Sequence, residues 1–288
     1  MTDIDAGLVQ ALIAEQFPAW ADLPVRPVPR QGWDNRTFRL GEELSVRLPS
    51  AEGYVAAVTK EDRWLPFLAG ELTTPVPAPV AVGRPASVYP FPWSVRRWLP
   101  GDTVESGAVD RVQLARDLGE FLRRLREVPA EGGPVAGRHS WYRGCHPSVY
   151  GDQVAESLVT LADAVDVSAC REVWSEAVGS VWGSAPVWFH GDVSAGNLLV
   201  RDGKLAAVID FGTCGTGDPA CDLVIAWTYF EGVEREVFRE AVGLPDEVWR
   251  RARGWALWKA LAVLAGLSSP DVDGVQRRVL ETVLAESG

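Results

Sequence analysis

Lysine is scarce in this 288-residue chain: only Lys60, Lys204 and Lys259 occur, so chemistry that needs a lysine amine has three candidates. Histidine is equally sparse, at three. The four cysteines, Cys145, Cys170, Cys214 and Cys221, form no C-x-x-C pair. Together these counts exclude a zinc set, and the cysteines read as reduced thiols. No window approaches the roughly 18 unbroken apolar residues that a membrane span requires. The start MTDIDAGLVQ has neither a basic head nor an apolar core, so no export signal is expected and the cytoplasm is the expected compartment. Positive charge is in deficit, 28 basic against 39 acidic residues for a net charge of -11. That field repels phosphate backbones and argues against a nucleic-acid partner. It also suits a cationic small molecule, although an acidic balance keeps many proteins soluble.

Against these absences stands an ordinary globular mixture, with 47% hydrophobic and 23% charged residues, enough for one large domain or two modest ones. Ile4, Leu8, Leu12 and Ile13 recur at helical spacing within residues 3 to 17. Pro18, Pro24, Pro27 and Pro29 then forbid helix, and the segments VPRQGW, NRTFRL and LSVRLP, with Gly32 and Gly41 at turns, read as a hairpin or meander. A helix is expected from Tyr54 to Ala69, interrupted near Pro66, followed by strands around Ala78 to Gly83 and Ser87 to Leu99. After Gly101 the pattern becomes mainly helical, apart from the short strands VWFH, NLLV and LAAVID. The expectation is an α+β fold: residues 1–100 an antiparallel sheet lobe with one helix, residues 101–288 a mainly helical lobe.

The chemistry concentrates in HGDVSAGNLLVRDGKLAAVIDFGTCGTGDPACDL, His190 to Asp222. Asp192 and Asn197 lie five apart across a loop, and Asp210 ends an apolar strand 18 residues beyond Asp192. Hard oxygen donors of this kind suit magnesium, which usually accompanies substrate phosphates. Phosphoryl transfer needs one carboxylate to orient and deprotonate the attacking hydroxyl and other oxygens to hold metal. Asp192 fits the first role, and Asn197 with Asp210 the second.

H-G-D-x-x-x-x-N, then I-D-F-G, then G-D-P-x-x-D-L resembles the aminoglycoside phosphotransferase family, relatives of the protein kinases. Q-G-W-D-N-R-T-F-R-L, V-R-L-P, K-E-x-x-W-L-P and R-W-L-P-G-D fall in that family's order too, so the resemblance covers nearly the whole chain. It implies a bilobal protein-kinase-like fold, ATP and Mg2+ as cofactors, and a small-molecule hydroxyl acceptor. It also implies Asp192 as catalytic base, Asn197 and Asp210 as metal ligands, and His190 as scaffold. Asp218 is expected to cap a helix beginning near Pro219, and Asp222 to hold the catalytic loop from beneath.

Two departures stand out. The loop R-Q-G-W-D-N-R, with Gly32 and Asn35, has a single glycine, so it reads either as a nucleotide loop or as an ordinary hairpin turn. The strand expected to bring a lysine to the phosphates reads S-V-R-L-P and places Arg47 there, a cation able to hold phosphate with a fork. Glu61 is then either its ion-pair partner or a solvated helix residue, with Lys60 the alternative cation. Trp98 and Leu99 are expected to line a purine slot at the junction between lobes.

Besides a small-molecule kinase, two readings stay open: a non-catalytic kinase-like nucleotide-binding module and a metal-dependent hydrolase. The acceptor is also left open among aminoglycosides, amino alcohols, sugars and macrolides. Asp152, Glu156 and Glu231 are acids that either touch it or are simply solvated. Oligomeric state and the choice of ATP or GTP are not legible.

Overall fold

The helical spacing at the start becomes α1 (Ala6–Gln16), capped by Asp5, whose carboxylate accepts from Leu8 N at 2.8 Å. The computed structural model describes residues 3–29, 31–32, 34–106, 108–271 and 274–286. Val9, Leu12 and Ile13 of α1 join Phe38, Leu40, Val46, Leu48, Tyr89, Trp93 and Val95 in one apolar core. That core lies against a five-stranded antiparallel sheet: β1 (Val25–Pro27), β2 (Asn35–Leu40), β3 (Leu44–Pro49), β4 (Pro79–Gly83) and β5 (Trp93–Arg97), in the order β1-β2-β3-β5-β4. β1 is an addition to the expected meander, an edge strand of three residues, a position where proline need cost no ladder bond.

Register explains the polarity of the two sheet faces. Val46 pairs with Val95, while Arg47 pairs with Ser94 and Ser45 with Arg96. Alternation therefore turns the apolar pair toward the α1 core and the polar pairs to the other face. There they meet α2 (Val55–Glu71), which buries Val58, Glu61, Leu65 and Leu68. α2 runs unbroken through Pro66, correcting the expected interruption; the buried stripe of Val58, Leu65 and Leu68 outweighs the lost backbone bond. Gly41 takes a φ of +59° in the β2–β3 turn, as the turn reading requires.

The chain forms two compact units. One takes the stretch up to Gly101 together with Ala206–Gly212; the other takes Asp102–Leu205 and Thr213 onward. In the second unit β6 (Asp102–Thr103) pairs with β8 (Leu198–Arg201), and β7 (Val187–Phe189) pairs with β10 (Gly215–Gly217). β8 turns at Asp202 and Gly203 into β9 (Lys204–Val208). Helices make up most of the rest: α3 (Arg111–Glu127), α4 (Gly151–Thr160), α5 (Val167–Val178), α6 (Ile225–Thr228), α7 (Gly232–Val242), α8 (Asp246–Leu264) and α9 (Val275–Ala285). Pro219–Val224, expected as the start of a helix, is a 3-10 segment capped by Asp218. α8, with Trp249, Trp255 and Trp258 buried, packs against α4, α5 and α9. Among the described residues no helix is long and apolar enough to cross a membrane.

Gly144 shows how tightly the second unit closes around β7. Its φ is +81°, and a Cβ there would lie 2.0 Å from the Phe189 ring. Gly144→Ala is expected to cost at least about 2 kcal/mol and to lower Tm by roughly 5 °C, through strain and overpacking together. A thermal melt within about a degree of wild type contradicts this account of the packing.

Candidate active site

The polar face of the first unit's sheet carries a charge network around Glu61. Its carboxylate is completely buried and accepts from Arg47 Nη1 at 3.0 Å, from Arg96 Nη2 at 3.4 Å and from the Phe211 backbone N–H at 3.0 Å. The solvated-helix reading of Glu61 is thereby replaced by an ion pair on the inner face of α2. Arg47 is itself shielded, with 14% of its side chain exposed, and its Nη2 donates to Asp210 Oδ1 at 2.7 Å. The Asn35 amide, its oxygen toward Arg47, accepts from Nη2 at 2.8 Å and Nε at 3.1 Å. Burial opposes the Arg47 charge, but Glu61 and Asp210 more than offset it and raise its pKa further. Arg47, Glu61, Asn35 and Asp210 are thus brought together in one unit. Lys60, the alternative cation, is one residue from Glu61 on α2 and so turned about 100° away from it around the helix.

Sequence reasoning missed Arg96 and Asp62. Arg96 is buried on β5, donating to Ser94 Oγ at 3.0 Å and Asp62 Oδ1 at 3.2 Å besides Glu61. Burial pushes the Asp62 carboxyl up, and Arg96 pulls it back. The register of β5 against β3 is the signal that could have found Arg96, since it shares Arg47's face.

Asp210 has a φ of +66°, left-handed for a residue that is not glycine. Such strain, of order 1–3 kcal/mol, persists where surroundings over-determine it. Here Arg47 holds the side chain, and Glu61 holds the next N–H. Gly32, Trp98 and Leu99 are less engaged. Gly32 is exposed with a φ outside the left-handed region, and its carbonyl accepts from Arg36 Nη1 at 2.7 Å. Arg30 and Trp33 of the same loop lie outside the described residues. Trp98 is half-buried beneath the Arg39 guanidinium, 4.2 Å from the ring centroid, and its backbone N–H donates to Glu43 O. Leu99 follows it, half-buried.

In the second unit, β7 delivers the chain into the loop His190 to Asn197. Asp222 holds this loop from beneath: its two carboxylate oxygens accept from the N–H groups of His190 and Gly191, each at 2.7 Å. Burial pushes the Asp222 carboxyl up from its ordinary value, opposed by His190 and these two donors. Gly191 at φ +87° is required because a Cβ would lie 2.8 Å from the Thr213 carbonyl. His190 is fully buried, and its Nδ1 accepts from Asp192 N at 3.2 Å, a scaffold arrangement.

Asp192 emerges exposed at the turn. Asn197 Nδ2 donates both to Asp192 Oδ2 at 3.0 Å and to Asp192 O at 2.9 Å, fixing that carboxylate. Asp218 caps the following segment through Ala220 N and receives the buried Arg251 Nε at 2.6 Å, a structural role. Of the acids considered for the acceptor, Asp152 and Glu156 are exposed on α4, and Glu231 caps α7.

The phosphotransferase enzyme family pattern matches residues 25–255. An aminoglycoside 3'-phosphotransferase of Escherichia coli is 28% identical over 193 residues, 64% of this chain and 67% of that one. One of Salmonella typhimurium is 29% identical over 155 residues, 47% and 51% of the two chains. The chain thus spans two thirds of the first relative's length and about half of the second's. Among solved structures, the GDP complex of aminoglycoside 2'-phosphotransferase-IIIa superposes with a TM-score of 0.71 at 21% identity, over 98% of this chain and 99% of that chain. A macrolide 2'-phosphotransferase from Brachybacterium faecium gives 0.61 at 24% identity, over 97% and 98%. These likenesses establish the α+β protein-kinase-like fold. With the pattern matched over most of its length, the chain belongs to the phosphotransferase enzyme family.

Proposed function

We propose that this chain transfers the γ-phosphoryl group of ATP to a hydroxyl of a small-molecule acceptor. The observation that carries this reading is the Asp192 carboxylate, exposed yet held by Asn197 at 3.0 Å on a loop anchored by Asp222. A carboxylate fixed in place but open to solvent is what a hydroxyl-positioning base requires. In the reaction the acceptor oxygen forms a bond to the γ-phosphorus, and the bond from that phosphorus to the β–γ bridging oxygen breaks. ADP leaves, and the hydroxyl proton passes to Asp192. Arg47, oriented by Glu61 and Asn35, offers a fixed charge to the nucleotide phosphates. The solved relatives include a GDP complex and a streptomycin–ATP ternary complex, which supports a nucleotide donor. The relatives' names, aminoglycoside and macrolide phosphotransferases, support a small-molecule alcohol as acceptor.

The donors present suit magnesium: the Asn197 amide points its nitrogen at Asp192, leaving the oxygen for a ligand, and Asp210 is a carboxylate whose side chain is 47% exposed. Held at Asp210, the ion would neutralise charge on the phosphate oxygens. Asp210→Asn should raise the magnesium concentration needed for half-maximal activity at least about tenfold and lower turnover. An unchanged magnesium dependence removes Asp210 from that role.

The reading as a whole is tested by coupled ADP release over a panel of alcohols, with a mass gain of one phosphoryl group on the acceptor. Acceptor-dependent ADP supports the kinase. Nucleotide binding without turnover supports a non-catalytic module, and phosphate release from esters supports a hydrolase.

A further inference from the structure

Arg96 of β5 is a cation inside the first unit: it is 2% exposed, and its Nη1 is buried with no hydrogen bond among the described residues. An interior guanidinium is costly, and an apolar side chain of similar volume would pack there without that penalty. Its presence calls for a task. Register sets Arg96 opposite Ser45 and Arg47 opposite Ser94, so the two arginines stand diagonally on the sheet face that α2 covers. They hold Glu61 from two sides. Glu61 Oε1 accepts from Arg47 Nη1 and from the Phe211 N–H, each at 3.0 Å, while Oε2 accepts from Arg96 Nη2 at 3.4 Å. The outermost torsion of a glutamate is otherwise soft. Donors on both oxygens fix it.

Arg96 is tied to its own neighbours as well, its Nη2 donating to Asp62 Oδ1 at 3.2 Å and its Nε to Ser94 Oγ at 3.0 Å. Across this cluster the ion pairs run Asp62 to Arg96 at 3.2 Å, Arg96 to Glu61 at 3.4 Å, Glu61 to Arg47 at 3.0 Å and Arg47 to Asp210 at 2.7 Å. Two cations therefore meet the two acids of α2, and Asp210 is the carboxylate in excess. Without Arg96, Glu61 Oε2 loses this donor in a fully buried place, and the Asp62 charge stands uncompensated by it one residue further along the helix. The Glu61 carboxylate is then free to turn on the guanidinium that remains, drawing Arg47 toward α2 and screening the charge it offers to an anion.

We propose that Arg96 is a positioning residue for the nucleotide phosphates: acting through Glu61, it holds Arg47 in the orientation that meets a triphosphate. Arg96 itself touches no substrate. This deepens the phosphotransferase reading and rests on its placement of Arg47 at the phosphates. A purely structural Arg96 would stabilise the first unit to the same extent whether or not Arg47 is present. A positioning Arg96 acts on nucleotide affinity only when Arg47 is there to be positioned.

The test is a double-mutant cycle on the full chain, with affinity for ATP in the presence of magnesium read by isothermal titration and Tm measured alongside. Arg96→Met keeps the volume, and Asp62→Asn removes the carboxylate it would strand, so the two are made together and compared with Asp62→Asn alone. Losing Arg96 in this way is expected to weaken ATP binding at least about fivefold. In an Arg47→Ala background the same change is expected to move affinity by less than about twofold. Arg96→Lys carries the charge without the fork and is expected to weaken binding about threefold with the same dependence on Arg47; it carries the cycle if the methionine variant does not fold. Affinity within about twofold of the reference in every folded Arg96 variant, or an equal loss with and without Arg47, overturns the proposal. Product mass with an alcohol acceptor reads the transfer assignment separately. An Arg47-dependent loss of affinity without phosphorylated product leaves the positioning role standing and removes the transfer reading, whereas phosphorylated product with affinity unmoved in the Arg96 variants does the reverse. A wild-type chain that binds no ATP overturns both.

Discussion

Asp192→Asn is expected to reduce phosphoryl transfer by at least about a hundredfold while nucleotide affinity stays within about twofold of wild type. The replacement is close to isosteric, and an asparagine oxygen still accepts from Asn197 Nδ2, so the loop contacts at 2.9 and 3.0 Å need not be lost. The bonds from His190 and Gly191 to Asp222 do not involve the Asp192 side chain, so the anchoring beneath the loop persists as well. What disappears is the ability to take a proton from the acceptor hydroxyl. General-base contributions run about 10²–10⁴-fold, which sets the expected size of the loss. Coupled ADP release at saturating ATP and acceptor measures it, and isothermal titration with nucleotide supplies the control. Activity above about a tenth of wild type, a loss under roughly 1.4 kcal/mol of transition-state stabilisation, rules out Asp192 as the base.

How much of this was legible in the sequence depends on whether a residue's partner lies nearby in the chain or across the fold. Asp192 and Asn197 lie within six residues, and the spacing of the motif marked both, though as base and metal ligand rather than as a hydrogen-bonded pair. The Arg47–Glu61 pair, 14 residues apart, was open to two readings because α2's period does not say which side the sheet covers. Strand alternation sets Val46 and Leu48 opposite Arg47, and the burial of Glu61 shows that Arg47's face is the one α2 covers.

Arg96 was invisible because its partners, Glu61 and Asp62, are 35 and 34 residues away and a buried arginine has no local signature. Pro66 misled for a related reason: local propensity argues for a break, and tertiary packing of Leu65 and Leu68 overrides it.

Arg47→Ala is expected to raise the Michaelis constant for ATP at least about tenfold and to lower turnover. The guanidinium meets three acceptors at once: Glu61 Oε1 at 3.0 Å through Nη1, Asp210 Oδ1 at 2.7 Å through Nη2, and the Asn35 oxygen through Nη2 and Nε. Alanine therefore removes both the charge offered to the phosphates and the restraint on the left-handed Asp210. Glu61 keeps Arg96 and the Phe211 N–H, so the buried carboxylate is not stranded and the fold is expected to survive. A lysine there carries the charge but not the fork, so it cannot reproduce the three contacts together. Arg47→Lys should accordingly fall between wild type and alanine, with nucleotide affinity recovered more fully than turnover, because turnover also needs Asp210 held. Glu61→Gln should give a weaker form of the alanine effect, since it only orients the cation. Kinetics at saturating acceptor with ATP varied decide the matter. An unchanged nucleotide constant in Arg47→Ala removes Arg47 from the phosphates and leaves it a purely structural partner of Glu61 and Asp210.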